Sequence, residues 1–417
     1  MPRKLTIRSE FTRNVITLMT GTTVAQAIPI AISPILTRIY TPSDFGVLAL
    51  FMSIVAIIGG IINARYELAI MLPQNDEDAI NLFTLGLIIN TFLSLTLMLL
   101  IIIFHGKIIT LLNNEEIGFW LYIIPLAVFF TGLFNLLNYF NTRIKNYKTL
   151  RNSVIIKSLI SAIIQLTSGL LKFGANGLIF GQLLSNIFSN GKLLKAVFNK
   201  ENIIKIISTK KILHQAKRYK IFPTYSVLAV LCNNLSLYLI NLIIPSLFNL
   251  MTLGFYSLVQ RVLGMPSSLI GGSIGQVFFQ EAAQEKKETG QAIKSFIGTI
   301  KKLLFIGIPL FISIYLTIED LFSIIFGEEW RIAGYYAKLI CPLFFIRFIV
   351  STVSPIDTIM EKQNIYLIFN VVLLSMNLLI LYISYGNSFE YFLTSYTIGI
   401  SFVYILYGFI LGNMAKG

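Results

Sequence analysis

Two arginines, Arg261 and Arg347, stand inside long apolar stretches of the sequence, and no acidic residue lies in the central part of any such stretch. A charged side chain at the centre of a membrane helix costs about 2.5–3.5 kcal/mol on insertion scales, so it normally faces water or a ligand. Arginine also presents a fork of donors that matches phosphate oxygens. We therefore predict that both residues bind an anionic substrate; a packing role against carbonyls or polar side chains is the alternative.

Four further charged residues lie closer to the ends of apolar stretches. Lys157 is either a substrate contact or a lysine whose ammonium group extends to the lipid headgroups. Arg65 is a further candidate for the substrate, while Glu67 and Asp357 are candidates for binding a coupling ion; for Asp357 the alternative is an ordinary residue at a helix end. Because Arg65 and Glu67 are two residues apart, a helix would turn them to different faces, and no pairing between them is predicted.

Prolines interrupt several apolar stretches. Pro29 and Pro34 lie in the first stretch, and Pro266 lies in the eighth, shortly before Gly271 and Gly272. Proline removes a backbone hydrogen bond and kinks a helix. Pro29, Pro34 and Pro266 are therefore predicted gating positions, with static kinks as the alternative.

The sequence contains no motif for catalysis or for a resident metal. It has no G-x-x-x-x-G-K-[ST] and no H-E-x-x-H, and its two cysteines and two histidines do not have metal-ligand spacing. We expect no catalytic residue, no metal, no cofactor and no nucleic-acid partner, and we expect the protein not to be an enzyme.

Twelve apolar stretches must position these side chains. Hydrophobic residues make up 55% of the chain and charged residues 12%, whereas soluble domains have about 25% charged residues. A stretch of about 18 uncharged residues is long enough to cross a bilayer. The sequence predicts an all-α integral membrane protein with twelve transmembrane helices, at residues 14–37, 46–72, 80–104, 118–141, 153–171, 177–194, 222–244, 255–275, 297–318, 339–358, 365–383 and 392–411.

The basic residues are distributed unevenly between the two sides of the membrane. Of the 33 lysines and arginines, 25 fall on the side of the N-terminus and 5 on the opposite side. The positive-inside rule therefore places both termini in the cytoplasm. The basic run from Lys192 to Lys220 is either a solvated loop or a segment that touches anionic headgroups.

The chain divides into two halves of six spans. The predicted N-terminal bundle is 1–194, the cytoplasmic linker 195–221 and the C-terminal bundle 222–417, and a shift of 208 residues brings the spans of the two bundles into approximate register. Because six is even, both bundles would enter the membrane in the same direction, as parallel repeats. Transporters of this kind bind substrate between their repeats and work by rocking them.

Two segments of the sequence match a known family. They are TVAQAIPIAISPILTRIYTPSDFGVLALFMSIVAIIGGIINARYELAIMLP at 23–73 and GFYSLVQRVLGMPSSLIGGSIGQVFFQEAAQ at 254–284. Both segments resemble Wzx-type bacterial polysaccharide flippases. These belong to the MOP superfamily, which also includes the multidrug MATE exporters and the flippases of peptidoglycan precursors. Arg261 lies in the second segment and Arg65 and Glu67 in the first.

The resemblance implies two six-helix bundles around a central cationic cavity with alternating access. It implies an undecaprenyl-diphosphate-linked oligosaccharide as substrate, moved from the cytoplasmic to the outer face of the inner membrane for O-antigen of lipopolysaccharide, capsule or related glycans. A monomer among membrane lipids is expected, with a polysaccharide polymerase and a chain-length regulator as candidate partners.

Two other functions are open from the sequence. A MATE-like multidrug exporter of small cations would need deep acidic residues, which the spans lack. A membrane glycan polymerase or ligase would need a larger outer loop than this chain has, since the longest runs only from 319 to 338.

Overall fold

The fold is entirely helical in the part of the chain that a computed structural model describes, residues 3–112, 117–198 and 206–417. Within these ranges, 11 helical segments are long and apolar enough to cross a membrane. The predicted all-α membrane fold is confirmed. Residues 199–205 of the predicted linker lie outside the described ranges.

The helices fall into two packed units, Met1–Asn234 and Leu235–Gly417. The first eight helices are α1 Arg3–Ile39, α2 Pro42–Gly59, α3 Tyr66–Ala69, α4 Asp76–Leu112, α5 Gly118–Leu121, α6 Ile124–Arg143, α7 Tyr147–Leu170 and α8 Ala175–Phe198. The remaining helices are α9 Thr209–Arg218, α10 Val227–Leu247, α11 Leu250–Pro266, α12 Gly272–Thr289, α13 Ile293–Phe326, α14 Arg331–Val353, α15 Ile356–Ile359, α16 Gln363–Ile383 and α17 Phe389–Met414.

The boundary between the units lies inside α10, whereas the sequence placed it in the linker. The reason is that α9, which forms part of the predicted linker, packs on the first unit. The Tyr66 hydroxyl donates to the carbonyl of Ala216 at 3.0 Å, and the Asn81 amide oxygen accepts from the backbone N–H of Ser208 at 3.0 Å.

The sixth predicted span, 177–194, lies within α8. This helix has 24 residues, enough to cross a bilayer, but it is not among the 11 apolar segments found in the described residues. Its Ser185, Ser189 and Asn190 are buried against neighbouring helices and lower its hydropathy. The Asn190 amide, for example, donates to the carbonyl of Phe130 at 2.8 Å.

The start of each half repeats the same local design. Helix α1 ends at 39 and α2 begins at 42; α10 ends at 247 and α11 begins at 250, so both limits are offset by 208 residues. Thr41 caps α2 in a capping box with Asp44, and Asn249 at the equivalent position caps α11. Such caps satisfy backbone N–H groups that a helix start leaves free.

Buried asparagine side chains form hydrogen bonds between neighbouring segments within each of the two units. In the first unit, Asn63 donates to the Gly132 carbonyl at 2.9 Å and Asn90 donates to the Phe129 carbonyl at 3.0 Å. In the second unit, Asn377 donates to the Ser236 carbonyl at 2.7 Å. Polar contacts of this kind hold membrane helices together where lipid supplies no hydrophobic driving force.

The backbone carbonyl that Pro29 leaves without its helical donor has a specific partner. Pro29 has no N–H, so the Ala25 carbonyl lacks its usual helical donor. The Ser158 hydroxyl on α7 donates to this carbonyl at 2.7 Å. A neighbouring helix therefore satisfies the backbone group that Pro29 leaves free, as membrane helices generally require.

Removal of this hydroxyl tests its role. Ser158→Ala is expected to lower the free energy of unfolding in detergent by about 1 kcal/mol, since it leaves a part-buried carbonyl without a donor. Ser375→Ala is the matched control, because the Ser375 hydroxyl bonds only to Val371 of its own helix. Equal stability of the two variants would contradict the stabilising role of the Ser158 hydroxyl.

Candidate functional site

A cavity of about 280 Å³ lies within the second unit, lined by α10, α11, α14, α16 and α17. Arg347 is the one charged residue among the described residues that line it. The other polar side chains are neutral; they are Ser236, Tyr238, Asn241, Gln260, Asn377, Tyr396 and Tyr404. The cavity therefore combines a single guanidinium with hydroxyl and amide groups.

Aromatic rings hold the Arg347 guanidinium in place. Its central carbon lies 5.3 Å from the centroid of the Phe344 ring and 5.6 Å from that of Tyr404, within the range of cation–π attraction. The Tyr404 hydroxyl also hydrogen-bonds to it.

Within the described residues, the groups that interact with the Arg347 charge are tyrosines and the Phe344 ring, and no carboxylate is among them. The positive charge is therefore not neutralised by an acidic side chain of this part of the protein. A guanidinium in such surroundings favours an anion that enters the cavity.

Arg261 does not share this cavity. Its neighbour Gln260 lines the wall, but Arg261 is not among the described lining residues. The structure brings Arg347 into the cavity, while substrate contact by Arg261 stays a prediction.

Arg65 and Glu67 form an ion pair, and the prediction that they do not pair is wrong. Nη1 of Arg65 lies 3.0 Å from Oε1 of Glu67. The prediction assumed a helix, but α2 ends at Gly59 and the chain then turns, with Ala64 at φ 49° and Arg65 at φ 63°. These left-handed residues allow side chains two positions apart to meet.

The Glu67 carboxyl is only 1% exposed and lies in the loop region between the spans Pro42–Gly59 and Asp76–Leu112. Burial raises the pKa of Glu67 above its usual value, while the nearby Arg65 charge opposes that shift. The hydroxyl of Tyr139 on α6 also lies within electrostatic range of both residues. Glu67, one of the two residues predicted to bind a coupling ion, lies in this cluster.

The other predicted residues occupy separate places. The Lys157 ammonium lies 5.0 Å from the centroid of the Phe134 ring on α6. Asp357 is buried and accepts hydrogen bonds from the hydroxyls of Tyr407 at 3.0 Å and Thr358 at 2.9 Å. Their roles toward substrate or ion stay predictions.

Pro266 lies directly before a π-helical turn, Ser267–Gly271, in a continuous helical segment from Leu250 to Thr289. The π turn borders a second cavity of about 360 Å³, which Thr352 of α14 also lines. π turns inside α-helices occur frequently at functional positions, and the gating role of Pro266 stays a prediction.

Sequence reasoning missed the neutral members of the Arg347 cavity. Tyrosine and asparagine are common in the apolar stretches of this sequence, so their presence alone does not indicate which of them line a cavity. The available signal was their spacing: Tyr396, Ile400 and Tyr404 recur at every fourth residue of α17, which places them on one face.

Comparison with protein families gives one decisive match. Residues 35–333 match the model of a family described as polysaccharide biosynthesis protein. The chain belongs to this family. The match confirms the resemblance drawn from the sequence. Comparison with curated protein sequences gives no match.

Solved structures of the MOP superfamily share the fold. An inward-facing multidrug resistance MATE family transporter is 16% identical, with a TM-score of 0.74, over 95% of this chain and 94% of that one. The lipid II flippase MurJ in an inward closed conformation is 13% identical, with a TM-score of 0.78, over 95% of this chain and 87% of that one. This chain of the polysaccharide biosynthesis family therefore shares its fold with these transporters.

A third similar structure differs in the character of its binding pocket. It is a MOP superfamily transporter from Pyrococcus furiosus with a pocket of reverse polarity, 15% identical with a TM-score of 0.55, over 97% of this chain and 94% of that one. One fold thus carries pockets of different charge, so function has to be argued from the residues of each site.

The Arg65–Glu67 pair can be tested by a double-mutant cycle. Arg65→Gln is expected to lower the free energy of unfolding by about 3 kcal/mol, because it leaves the buried Glu67 carboxylate without its cation. Adding Glu67→Gln is expected to recover much of this loss.

The pH dependence gives the cycle a second readout. Burial raises the pKa of Glu67 in the folded protein. Protonation of Glu67 therefore stabilises the wild type at pH values below the pKa that Glu67 has in the unfolded chain. This stabilisation is lost as the pH rises through the pKa that Glu67 has in the folded protein. The double variant is expected to lack this component. Additive effects of the two substitutions would show that the residues do not interact.

Proposed function

We propose that the protein is a flippase that moves undecaprenyl-diphosphate-linked oligosaccharide from the cytoplasmic to the outer face of the bacterial inner membrane, for O-antigen, capsule or related polysaccharides. The observation that carries the proposal is the Arg347 guanidinium in a neutral polar cavity, within a chain of the polysaccharide biosynthesis family.

The chemistry of the substrate fits the residues of the cavity. A diphosphate offers anionic oxygens that match the guanidinium fork of Arg347. Sugar hydroxyls exchange hydrogen bonds with neutral amides such as Asn241 and Gln260 and with the hydroxyls of Tyr396 and Tyr404. The polyprenyl tail is apolar and stays in lipid. Arg261, Arg65 and Lys157 are proposed as further cationic contacts along the route.

Movement of substrate requires a change of access, which we assign to rocking of the two bundles. The π turn after Pro266, together with the kinks at Pro29 and Pro34, supplies helix segments that can bend. Glu67 and Asp357 are the proposed positions for a coupling ion. The polymerase and the chain-length regulator are proposed partners of a monomeric flippase.

A multidrug exporter is the second candidate, because a MATE transporter shares the fold. A cationic drug would be drawn to carboxylates, and the described residues that line the cavity include none. Export of ethidium from cells, without movement of lipid-linked sugar, would favour the exporter. Elongation of glycan by the purified protein would favour a polymerase or ligase.

Reconstituted protein tests the flippase directly. Proteoliposomes are loaded with an undecaprenyl-diphosphate-linked, fluorescently labelled sugar, and exposure of the label is followed by chemical quenching. Arg347→Gln is expected to slow flipping about tenfold or more, since a hydrogen bond to a charged group is worth about 1.5–3 kcal/mol.

Arg331→Gln is the matched control for this substitution. Arg331 lies on the same helix, but it is half-exposed and pairs with Glu328 and Asp320, and surface pairs contribute only about 0–1 kcal/mol. Flipping at wild-type rate by Arg347→Gln would contradict the proposed role of the cavity. No flipping by the wild type would contradict the proposed function.

The bending segment is tested by stiffening it. Gly272 directly follows the π turn, and a Cβ added there meets nothing within 4 Å, so Gly272→Ala adds no clash. Alanine favours helix by about 1 kcal/mol over glycine, and flipping is expected to slow about three- to fivefold. Gly298→Ala is the control, because that site on α13 is equally open. Equal rates for the two variants would remove this segment from the mechanism.

A further inference from the structure

Helix α9 presents two different faces. Its inner face packs Ile212, Ala216 and the following Tyr219 against the hydrophobic core of the first unit, and Gln215 is buried there as well. The helix is therefore part of the folded unit, and its outer face has a fixed direction.

The outer face carries a row of basic and apolar side chains. Lys210, Leu213 and Lys217 follow the i, i+3, i+7 spacing of a single helix face, and all three are exposed. We name this row the basic stripe. Leu213 is 57% exposed. Lys220, which is also exposed, follows in the turn after the helix.

The flank of the helix has a different role. Lys211 forms an ion pair with Glu77 near the start of α4. This contact holds α9 beside the polar end of a span that runs from Asp76 to Leu112. Lys211 is not part of the basic stripe.

The position of α9 along the chain places it at the membrane surface. The next candidate span begins at Phe222, only a short turn after α9 ends at Arg218. A helix held beside the polar end of one span and joined directly to the next lies at the level of the lipid headgroups. Ile221, in the connecting turn, is 58% exposed and continues the apolar character of Leu213.

We propose that the basic stripe binds anionic phospholipid headgroups of the cytoplasmic leaflet, with Leu213 inserted at the interface. Amphipathic helices with basic and apolar side chains bind membranes in this way through electrostatic attraction and buried apolar area. An acidic protein surface could match the lysines, but it would give no reason for an exposed leucine between them at headgroup level. The proposal does not depend on the flippase function.

Hydrogen exchange of the full-length protein in nanodiscs provides the test. The amides of α9 are compared in two lipid compositions. One is phosphatidylcholine alone, and the other is a mixture of roughly seven parts phosphatidylcholine to three parts phosphatidylglycerol, chosen to give an anionic surface. The anionic lipid is expected to slow their exchange about tenfold, since juxtamembrane lysines gain attraction at an anionic surface. The variant with Lys210→Gln, Lys217→Gln and Lys220→Gln is expected to lose this difference between the lipids.

The control variant carries Lys287→Gln, Lys301→Gln and Lys302→Gln. These lysines are also exposed and lie on the predicted cytoplasmic side, so the variant loses the same charge but keeps the effect of phosphatidylglycerol on α9. Equal exchange of wild-type α9 in both lipids would overturn the proposal. Protection by inorganic pyrophosphate in phosphatidylcholine alone would also overturn it, because the stripe would then be a diphosphate site.

Discussion

The central physical constraint in this protein is a guanidinium inside a membrane helix that no carboxylate neutralises within the described part of the chain. The side chain of Arg347 is held between the rings of Phe344 and Tyr404, and the groups that interact with its charge are tyrosines. Aromatic faces and hydroxyls stabilise the cation only in part. Water and anions are the groups that would supply the remaining stabilisation, and on this ground we propose the cavity as the site of a negatively charged ligand.

The surrounding architecture of the second unit follows from this constraint. A cavity beside a buried charge needs groups in its wall that tolerate water, and α17 supplies two of them, the hydroxyls of Tyr396 and Tyr404. The buried amide of Asn377 joins its own helix to α10 through a hydrogen bond to the Ser236 carbonyl. The segment that we propose to bend lies elsewhere in this unit, at the π turn Ser267–Gly271, which Pro266 precedes.

The sequence predicts the fold well because membrane spans are set by length and apolarity, and the 208-residue offset is recovered at the helix limits 39 and 247. It also draws attention to Arg347, because a charge in a long apolar stretch is easily recognised, but contact of this residue with substrate stays a prediction. It fails where backbone conformation leaves the helical pattern: the left-handed Ala64 and Arg65 join a pair that helical geometry would separate. It also fails for neutral cavity residues, since which face of a helix a tyrosine occupies depends on tertiary packing.

The most direct test of the central claim is equilibrium binding of undecaprenyl diphosphate to the purified protein, measured by native mass spectrometry for the wild type and for Arg347→Gln. If the guanidinium attracts the anionic headgroup, the affinity of the variant is at least about tenfold lower, as expected for loss of a charge-assisted contact. Equal affinities of the two proteins would show that the cavity does not recognise the diphosphate.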